Sequence, residues 1–402
     1  MSESPLQEHK HQQPRLDQLG AYPFERLSKL LKHLTIAENL TPIDAGAGEP
    51  RLPLPPFVSV ALQENIGGFS NYPMTSGNPD LCGAIAAWLQ KRYHLTAIDA
   101  RSQVLSANGT REALFAVAHA LVNPEAHHKP YVIMPNPMYQ IYYGAALLAG
   151  AEPYFLNGEA HNYFEPDLEL VPNKIWENTA FIYVCSPSNP TGWIASQAYY
   201  QQLLQLADQY DFYIVADECY SEIYQTEPPI GLLEVCEMSG RNDFSRCLVM
   251  NSLSKRSALP GLRSGLIAGD AQLIQRFRKL RSYTGPATPL PLQHIAAAAW
   301  RDESHVQAHL ATYQASMRRF SEHFPITIPE GSFFLWLHVG DGEAFAQAAY
   351  EQQAITLLPG AYLSVTDATG YNPGAAYVRI ALLDGPEKSA ELASRLQKVT
   401  LN

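Results

Sequence analysis

Three short apolar runs constrain the fold of this chain more than any other feature of its sequence. They are AFIYVCS (180–186), FYIVADE (212–218) and LVMNSL (248–253), and each stays apolar at nearly every position until its last residues. Runs of this length without polar alternation are typical of strands covered on both faces. We therefore predict an α/β fold with a large, mostly parallel sheet that helices cover on both sides.

Segments with helical apolar spacing alternate with strand-like runs. TREALFAVAHALV (110–122) follows the strand-like QVLSAN (103–108), and MYQIYYGAALLAG (138–150) follows YVIMP (131–135). DLCGAIAAWLQKRY is predicted to be a helix capped by Asp80. The alternation predicts successive βα units, which supports the parallel sheet.

The pattern changes after about residue 290. One long helical segment (295–324) leads into FFLWLHV (333–339), a helix, AYVRIALLD (376–384) and a last helix. This order predicts a smaller α+β domain beside the large one. Residues 1 to about 18 are polar and are expected to form a flexible arm. The predicted divisions are 1–50 for the arm and part of the small domain, 51–295 for the large domain, and 296–402 for the C-terminal small domain.

Composition excludes several classes of protein. The formal net charge is −11, whereas a nucleic-acid-binding protein typically carries an excess of basic residues. No apolar run approaches 18 residues, so we expect no membrane-spanning helix. The five cysteines are odd in number and contain no C-x-x-C pair, which disfavours a disulfide framework or a zinc site. We expect a cytoplasmic protein with reduced thiols and without a secretory signal or a bound metal.

Two turns that follow predicted strands are candidates for ligand binding. In VLSANGTREALF a strand ends, a glycine turn follows and a helix starts near Thr110, whose free N–H groups would suit a phosphate. Taken alone, that stretch is better explained as an ordinary strand–turn–helix unit. SPSNPTG (186–192) follows a buried strand and offers Asn189 at the strand end, where open α/β sheets bind ligands. A plain loop is the alternative there.

Two acids end the strand FYIVADE. Asp217 and Glu218 come directly after buried positions, where acids are uncommon. One of them is expected to point into a site and the other to cap or pair. Solvation of an ordinary strand end is the alternative.

The stretch NSLSKRSALPGLRSG (251–265) raises two competing interpretations. SLSK matches the S-x-x-K motif that would make Ser252 an acyl-transfer nucleophile, but the S-D-N and K-T-G motifs expected with it are absent. Alternatively Lys255 is the nucleophile, because a lysine amine forms a Schiff base with an aldehyde when its pKa is lowered. The serines and Arg263 would then bind a phosphate. We favour Lys255.

These candidates together match the needs of one cofactor, pyridoxal 5′-phosphate. It requires a Schiff-base lysine, an acid at its pyridine nitrogen, a phosphate site and a partner for its phenolic oxygen. An ion pair between an aspartate and the ring nitrogen at about 3 Å contributes roughly 5 kcal/mol at an effective dielectric near 20. That corresponds to several pKa units, so the ring nitrogen would stay protonated and accept electrons from the substrate carbon.

The chain resembles the fold type I pyridoxal-phosphate aminotransferases from about residue 20 to its C-terminus. Ten motifs occur in the order typical of that family. They are GEP, YPMTSGNPDL, NGTREAL, PNPMY, NPTG, ADECY, SLSK with GLRSG, PEGSFF, LPGAY and YVRIAL. So many ordered motifs make a chance likeness very improbable.

The resemblance implies a role for each matching residue. Lys255 would carry the cofactor and move the proton, Asp217 would pair with the pyridine nitrogen, and Asn189 and Tyr220 would bind the phenolic oxygen. Tyr139 would stack on the ring. The phosphate would be held by the helix-start amides of Gly109, Thr110 and Arg111 and by the side chains of Ser252, Ser254 and Arg263.

The resemblance also implies substrate and subunit contacts. Arg379 would grip the substrate α-carboxylate beside Gly48 and Asn189. Tyr72 would reach the phosphate of a second subunit, which implies a homodimer with shared sites. Arg26 and Arg51 are candidates for the distal carboxylates of the substrate. The sequence suggests no role for Arg256.

Within the family, three stretches are similar to the branch that acts on N-succinyl-diaminopimelate. They are LDQLGAYPFERLSKLL, SLSKRSALPGLRSGLIAGD and AAAAWRDESHV. This likeness implies amino exchange between glutamate and N-succinyl-2-amino-6-oxopimelate, in the lysine and diaminopimelate pathway. Aspartate, aromatic and acetylornithine aminotransferases and a carbon–sulfur β-lyase remain alternatives. A cofactor-sensing regulator is disfavoured, because the N-terminal arm is short and not basic.

Overall fold

A seven-stranded sheet is the centre of the fold. The computed structural model describes residues 14–37 and 39–401. The strand order is β2-β8-β7-β6-β5-β3-β4. Every pair is parallel except those of β8, which runs antiparallel to both β7 and β2. The strands are β2 Val104–Ala107, β3 Tyr131–Asn136, β4 Glu152–Asn157, β5 Thr179–Cys185, β6 Tyr213–Asp217, β7 Cys247–Ser252 and β8 Gly265–Gly269. The predicted α/β fold is therefore confirmed, and the three apolar runs form its adjacent strands β5, β6 and β7.

Helices cover both faces of this sheet. In β5, Phe181 and Tyr183 face one apolar cluster while Ile182 and Val184 face another, so a strand without polar alternation buries both of its faces. The helices in the described part of the chain are α1 Pro23–Leu31, α2 Phe57–Asn65, α3 Pro79–Arg92, α4 Thr110–Leu121, α5 Ile141–Ala149, α6 Asn173–Trp176, α7 Gln197–Tyr210, α8 Leu232–Met238, α9 Leu253–Arg256, α10 Ala271–Thr284, α11 Leu290–Arg301, α12 Ser304–His323, α13 Gly342–Gln353 and α14 Pro386–Leu396.

Two small sheets lie apart from the large one. Strands β11, β12 and β9 form an antiparallel sheet in that order, and β1 pairs in parallel with β10. They are β1 Ile43–Asp44, β9 Phe334–His338, β10 Ile355–Thr356, β11 Leu358–Pro359 and β12 Tyr377–Ala381. The pairing of Ile43 with Ile355 joins the N-terminal part of the chain to its C-terminal part. The domain limits at residues 50 and 295 stay predictions.

Two predicted helices differ from those observed. The segment 295–324 is two helices, because Asp302 accepts hydrogen bonds from the Ser304 hydroxyl (2.7 Å) and the His305 backbone N–H (3.3 Å) and so starts a new helix. The cap of α3 is Asn78, whose side chain accepts a bond from the Leu81 N–H at 2.7 Å. Asp80 lies inside the helix and pairs with Arg301.

The remaining expectations concern the chain's end and its thiols. Residues 1–13 of the predicted polar arm lie outside the described residues. All five cysteines are buried free thiols. Among the helices of residues 14–37 and 39–401, none has the length and apolar character needed to cross a bilayer.

Candidate active site

The predicted site residues meet in a cavity of about 570 Å³ at the carboxyl ends of β5, β6 and β7. Parallel strands end at one edge of the sheet, so the turns that follow them lie side by side. Of the fourteen predicted residues, twelve line this cavity: Gly48, Thr110, Arg111, Tyr139, Asn189, Asp217, Tyr220, Ser252, Ser254, Lys255, Arg263 and Arg379. Gly109 lies directly against Arg263, and Tyr72 is fully exposed elsewhere on the surface.

Lys255 lies on the one-turn helix α9, which directly follows β7. Its ammonium donates a hydrogen bond to the Gly48 carbonyl and lies 5.9 Å from the centre of the Tyr220 ring. Burial lowers the pKa of Lys255 to about 8, because desolvation disfavours the charged amine. An amine with this pKa is partly neutral near pH 7, which a nucleophile and a proton acceptor both require.

Asp217 is the buried acid at the end of β6. Its oxygens accept hydrogen bonds from the Tyr142 hydroxyl (2.7 Å) and the Cys219 backbone N–H (3.2 Å), and both donors are uncharged. Burial raises the pKa of Asp217. A buried carboxylate with neutral donors suits a cationic partner supplied by a ligand. Glu218 instead accepts a bond from the Leu232 N–H at 2.8 Å, at the start of α8. One acid thus faces the site and the other caps a helix.

The start of α4 and the Arg263 side chain form an anion-binding corner. Gly109 precedes the helix with a φ of +82° and offers no side chain to cap it. A Cβ at Gly109 would collide with the Arg263 guanidinium, so any side chain there would displace that group from its present position. Arg263 itself donates to the carbonyls of Pro260 (2.9 Å) and Asn108 (3.2 Å). Helix N–H groups and a guanidinium that converge in this way suit a phosphate.

Arg379 forms the opposite wall of the cavity. It lies on β12, is buried, and donates to Asn189 Oδ1 (2.9 Å) and the Gly46 carbonyl (2.7 Å). Its guanidinium carbon stands 4.2 Å from the centre of the Phe334 ring. Burial lowers the pKa of Arg379 to about 10, so the group stays charged at neutral pH. It can therefore bind a carboxylate.

Arg111 supplies a further positive charge on the cavity wall. Its Nε donates to the Tyr139 hydroxyl at 2.7 Å and an Nη donates to the Tyr22 hydroxyl at 3.0 Å. Arg26 and Arg51, the two candidates that the sequence offered for binding the distal carboxylates, lie outside the cavity lining. Arg51 pairs with Asp384 at 2.9 Å, and Arg26 stacks 3.8 Å from the centre of the Tyr362 ring.

Sequence reasoning did not identify two residues of this site. Tyr142 bonds to Asp217 from the first turn of α5, and Tyr22 contacts Arg111 from the start of α1. The nearness of Tyr142 to Tyr139, which lies three residues before it and just ahead of α5, is the one local signal for it. For Tyr22 the sequence offers none, because its contact depends on how a distant segment folds back.

Comparisons with known proteins agree with this geometry. The sequence model described as "Aminotransferase class I and II" matches residues 41–396. An LL-diaminopimelate aminotransferase of Trichormus variabilis is 28% identical over 395 residues, covering 95% of this chain and 97% of that protein. The crystal structure of an aminotransferase from Neisseria meningitidis superposes with a TM-score of 0.90 at 39% identity, covering 95% of this chain and 98% of the other. A probable N-succinyldiaminopimelate aminotransferase from Thermus thermophilus has a TM-score of 0.83 at 21% identity over 94% and 100% of the two chains, a likeness of fold alone.

Proposed function

Because the chain belongs to the class I and II aminotransferases, we propose that it exchanges an amino group between glutamate and N-succinyl-2-amino-6-oxopimelate. The observation that carries this proposal is the pair of arginines on one cavity, Arg379 and Arg111. Glutamate and the succinylated keto acid both carry a carboxylate near the reacting carbon and another at a distance. The likeness of three sequence stretches to the succinyl-diaminopimelate branch also supports it, whereas the name of the Trichormus relative supports only the diaminopimelate skeleton of the substrate.

The cofactor of this family, pyridoxal 5′-phosphate, fits the residues of the cavity. When bound, it supplies an aldehyde that condenses with amines and a ring that accepts electrons. Asp217 meets the need for an acid at the ring nitrogen, since it is buried with neutral donors only. The corner at Gly109 and Arg263 meets the need for a phosphate site, since the start of α4 and the guanidinium meet there with no side chain between them. Lys255 would hold the aldehyde carbon, Asn189 and Tyr220 the phenolic oxygen, and Tyr139 the ring face. The helix-start N–H groups of Thr110 and Arg111, together with Ser252 and Ser254, would complete the phosphate site, and the Arg111 side chain would bind a distal carboxylate of the substrate.

The chain's own residues then divide the work between binding and proton transfer. Arg379 would fix the substrate α-carboxylate, which holds Cα near Lys255. The Lys255 amine, neutral in part near pH 7, would take the Cα proton of glutamate. In the second half of the exchange it would give a proton to Cα of the amino acid formed from the keto acid. Glutamate would react first and the keto acid second, each in the same cavity.

Replacing Gly109 by alanine is expected to weaken cofactor binding about tenfold or more, because the Cβ collides with Arg263 and the φ of +82° strains any L side chain. Titration of the apoprotein with pyridoxal phosphate, followed by visible absorbance, measures the dissociation constant. Gly240→Ala is the matched control, since Gly240 has a φ of +73° but no atom within 4 Å of its Cβ position. An equal loss of affinity in both variants would remove Gly109 and Arg263 from the phosphate site.

Replacing Arg111 by glutamine is expected to lower kcat/KM for substrates with a distal carboxylate by about 10- to 100-fold, because a charge-assisted hydrogen bond is lost. Alanine as amino donor, which has no distal carboxylate, should react at an unchanged rate. Arg26→Gln is the control variant, because Arg26 stacks on Tyr362 outside the cavity lining. Equal losses with glutamate and alanine would assign Arg111 to the cofactor rather than to the substrate.

Half-reactions of the purified enzyme test the substrate itself. Glutamate, N-succinyl-diaminopimelate, LL-diaminopimelate, aspartate, an aromatic amino acid and cystathionine are added in turn, and the loss of the visible cofactor band is recorded. Bleaching by glutamate and the succinylated diamine supports the proposal. Bleaching by aspartate or an aromatic amino acid, with none by the succinylated diamine, would overturn the substrate and leave the family intact.

Free LL-diaminopimelate is the second candidate, because Glu49 also lines the cavity and could accept its distal ammonium. Succinylation removes that ammonium and adds a carboxylate. Glu49→Gln should therefore slow the half-reaction of LL-diaminopimelate and leave that of the succinylated diamine unchanged.

We also propose that the enzyme works as a homodimer. Tyr72 is fully exposed and lies outside the cavity of its own chain, as expected for a residue that serves a second subunit. Large apolar side chains near it in the sequence are exposed as well: Val60, Ile66, Phe69 and Met74. Sedimentation of the wild type, and cofactor affinity of Tyr72→Phe, test this arrangement together. A monomer with full activity would contradict it.

A further inference from the structure

The helical turn that carries Lys255 is anchored on its side that faces away from the cavity. Helix α9 has four residues, too few to be held by its own hydrogen bonds. Lys255 points into the cavity, whereas Arg256, about 100° further round the helix, points into the core. The Arg256 guanidinium lies against two indoles that contact each other, 5.4 Å from the centre of the Trp88 ring and 5.1 Å from that of Trp300.

Arg256 is bonded to the junction between α11 and α12. One of its Nη atoms donates to the Ala299 carbonyl at 2.7 Å, and the other donates to Glu303 Oε1 at 2.6 Å. The guanidinium is fully buried, so an uncompensated charge there would be costly. Its partners come from the last turn of α11 and from the residue that precedes α12. The sequence suggested no role for Arg256, and this contact explains its presence beside the lysine.

Ser257 makes a second link to the same junction. Its hydroxyl lies 2.8 Å from His305 Nε2, and His305 Nδ1 lies 2.6 Å from Asp302 Oδ2. Burial raises the pKa of Asp302, but hydrogen bonds from Ser304 and His305 outweigh it and hold the value at about 2. Burial lowers the pKa of His305, so the ring is neutral near pH 7.

These charge states fix the direction of every hydrogen bond. The ionised Asp302 can only accept, so His305 Nδ1 is the donor to it. The other nitrogen of a neutral imidazole then accepts, and the Ser257 hydroxyl donates to it. The Ser257 oxygen in turn accepts a bond of 3.3 Å from Arg256. The chain of bonds is continuous and leaves no conflict between two donors or two acceptors.

This serine, histidine and aspartate have the bonding order of a hydrolytic triad, but they lack access to a substrate. Ser257 has no exposed surface. It is also absent from the lining of the 570 Å³ cavity. A nucleophile must reach its substrate, so the geometry points to a structural link rather than to a second catalytic centre.

We propose that Arg256, Ser257, Asp302, Glu303 and His305, here termed the junction clamp, are positioning residues for Lys255. The clamp ties both residues that follow Lys255 to the junction of α11 and α12, and so fixes where the lysine amine stands in the cavity. The inference rests on the role proposed for Lys255. It concerns the accuracy of proton transfer, because a misplacement of about 1 Å can cost on the order of 100-fold in rate.

Two substitutions of His305 separate positioning from simple stability. His305→Gln places an amide where Nε2 stood and can keep the bond to Ser257, whereas His305→Asn places it where Nδ1 stood and can keep only the bond to Asp302. We expect His305→Asn to lower kcat by about 10- to 100-fold with KM for glutamate nearly unchanged, and His305→Gln to stay close to the wild type. The pH midpoint of the visible absorbance should shift in His305→Asn alone.

A second pair of variants controls for the loss of a buried arginine. Arg395, on α14, is also buried, donates to the Thr41 carbonyl at 2.7 Å and pairs with Glu391, yet lies outside the cavity lining. Arg256→Lys should lower kcat and shift the absorbance midpoint, whereas Arg395→Lys should lower only the unfolding temperature. Ser257→Ala, the smallest change, repeats the test should a larger one impair folding.

Equal kcat in His305→Asn and His305→Gln, or equal effects of Arg256→Lys and Arg395→Lys on the absorbance midpoint, would overturn the clamp. These comparisons use whichever amino donor bleaches the wild-type cofactor. Failure of the proposed substrate would therefore appear as missing bleaching in the wild type. Failure of the clamp proposal would appear as equal behaviour of the paired variants. Loss of the visible band in wild type itself would instead count against the proposed role of Lys255.

Discussion

Replacing Lys255 by alanine is expected to abolish amino transfer, with kcat falling by at least about 10⁴-fold. Lys255 is the lysine among the residues that line the cavity, and burial holds its pKa near 8, so its amine is suited to the proposed roles of nucleophile and proton carrier. A single-turnover reaction with glutamate, followed through the visible cofactor band, measures the loss. Lys279→Ala, which removes an exposed lysine on α10, is the control. Substantial turnover in Lys255→Ala would sink the assignment.

The loss of activity should not come from unfolding. Burial lowers the pKa of Lys255 from its usual value near 10.5 to about 8, so the unfolded chain binds the proton more tightly than the folded one. The resulting penalty is fully present below about pH 8 and disappears as the pH rises towards 10.5. Lys255→Met, which keeps the length of the side chain, should therefore unfold at a higher temperature than the wild-type apoprotein at pH 7. The gain should shrink at pH 9.

Replacing Asp217 by asparagine is expected to lower kcat by about 100- to 1,000-fold or more, because the ring nitrogen of the cofactor would lose its anionic partner. Asparagine keeps the size of the side chain, and its Oδ1 can still accept a bond from Tyr142 or from the Cys219 N–H. Steady-state rates with glutamate and the best acceptor measure the effect. Glu218→Gln is the matched control, since Glu218 is equally buried but caps α8. Near-normal transamination in Asp217→Asn would remove the residue from its proposed role.

The apoprotein of this variant gives an independent measurement. Burial raises the pKa of Asp217, so the folded chain binds that proton more tightly than the unfolded one. The penalty appears as the pH rises through the ordinary value of an aspartate and is fully present once the folded group is ionised. Asp217→Asn removes it and should raise the unfolding temperature at neutral pH. Activity and stability would then move in opposite directions at both Lys255 and Asp217, as expected of residues kept for function.

The elements that the sequence predicted well are those whose burial can be recognised from one continuous stretch of residues. Strands β5, β6 and β7 are buried on both faces and therefore lack polar alternation, which identifies them without knowledge of their neighbours. Helix ends depended on single side chains. The break at Asp302 and the cap at Asn78 each rest on one hydrogen-bonding residue inside or beside a helical pattern, where apolar periodicity carries no signal.

The residues of the candidate site also fall into a group that the sequence could place and a group that it could not. Lys255, Asp217 and Asn189 follow buried strands directly, so the topology of a parallel sheet brings them together. The contacts of Arg111 with Tyr22 and Tyr139, and of Arg256 with Glu303, join segments far apart in the chain. Their side-chain directions are set by tertiary packing, and neither Arg26 nor Arg51 could be excluded from the cavity before the fold was known. The identity of the amino acceptor stays a prediction.

During synthesis, the residues of β1 leave the ribosome long before those of β10 are made. Ile43 can pair with Ile355 only after about 355 residues have been added, and the Arg379 bond to the Gly46 carbonyl can form only later still. The large sheet, by contrast, pairs segments that emerge within the first 270 residues. Contacts of such long sequence separation form late and slowly, because a large loop must first close. The growing polypeptide can therefore build the part of the cavity that carries Asp217 and Lys255 early, but Arg379 arrives only when synthesis is almost complete, so we expect no activity before the chain leaves the ribosome.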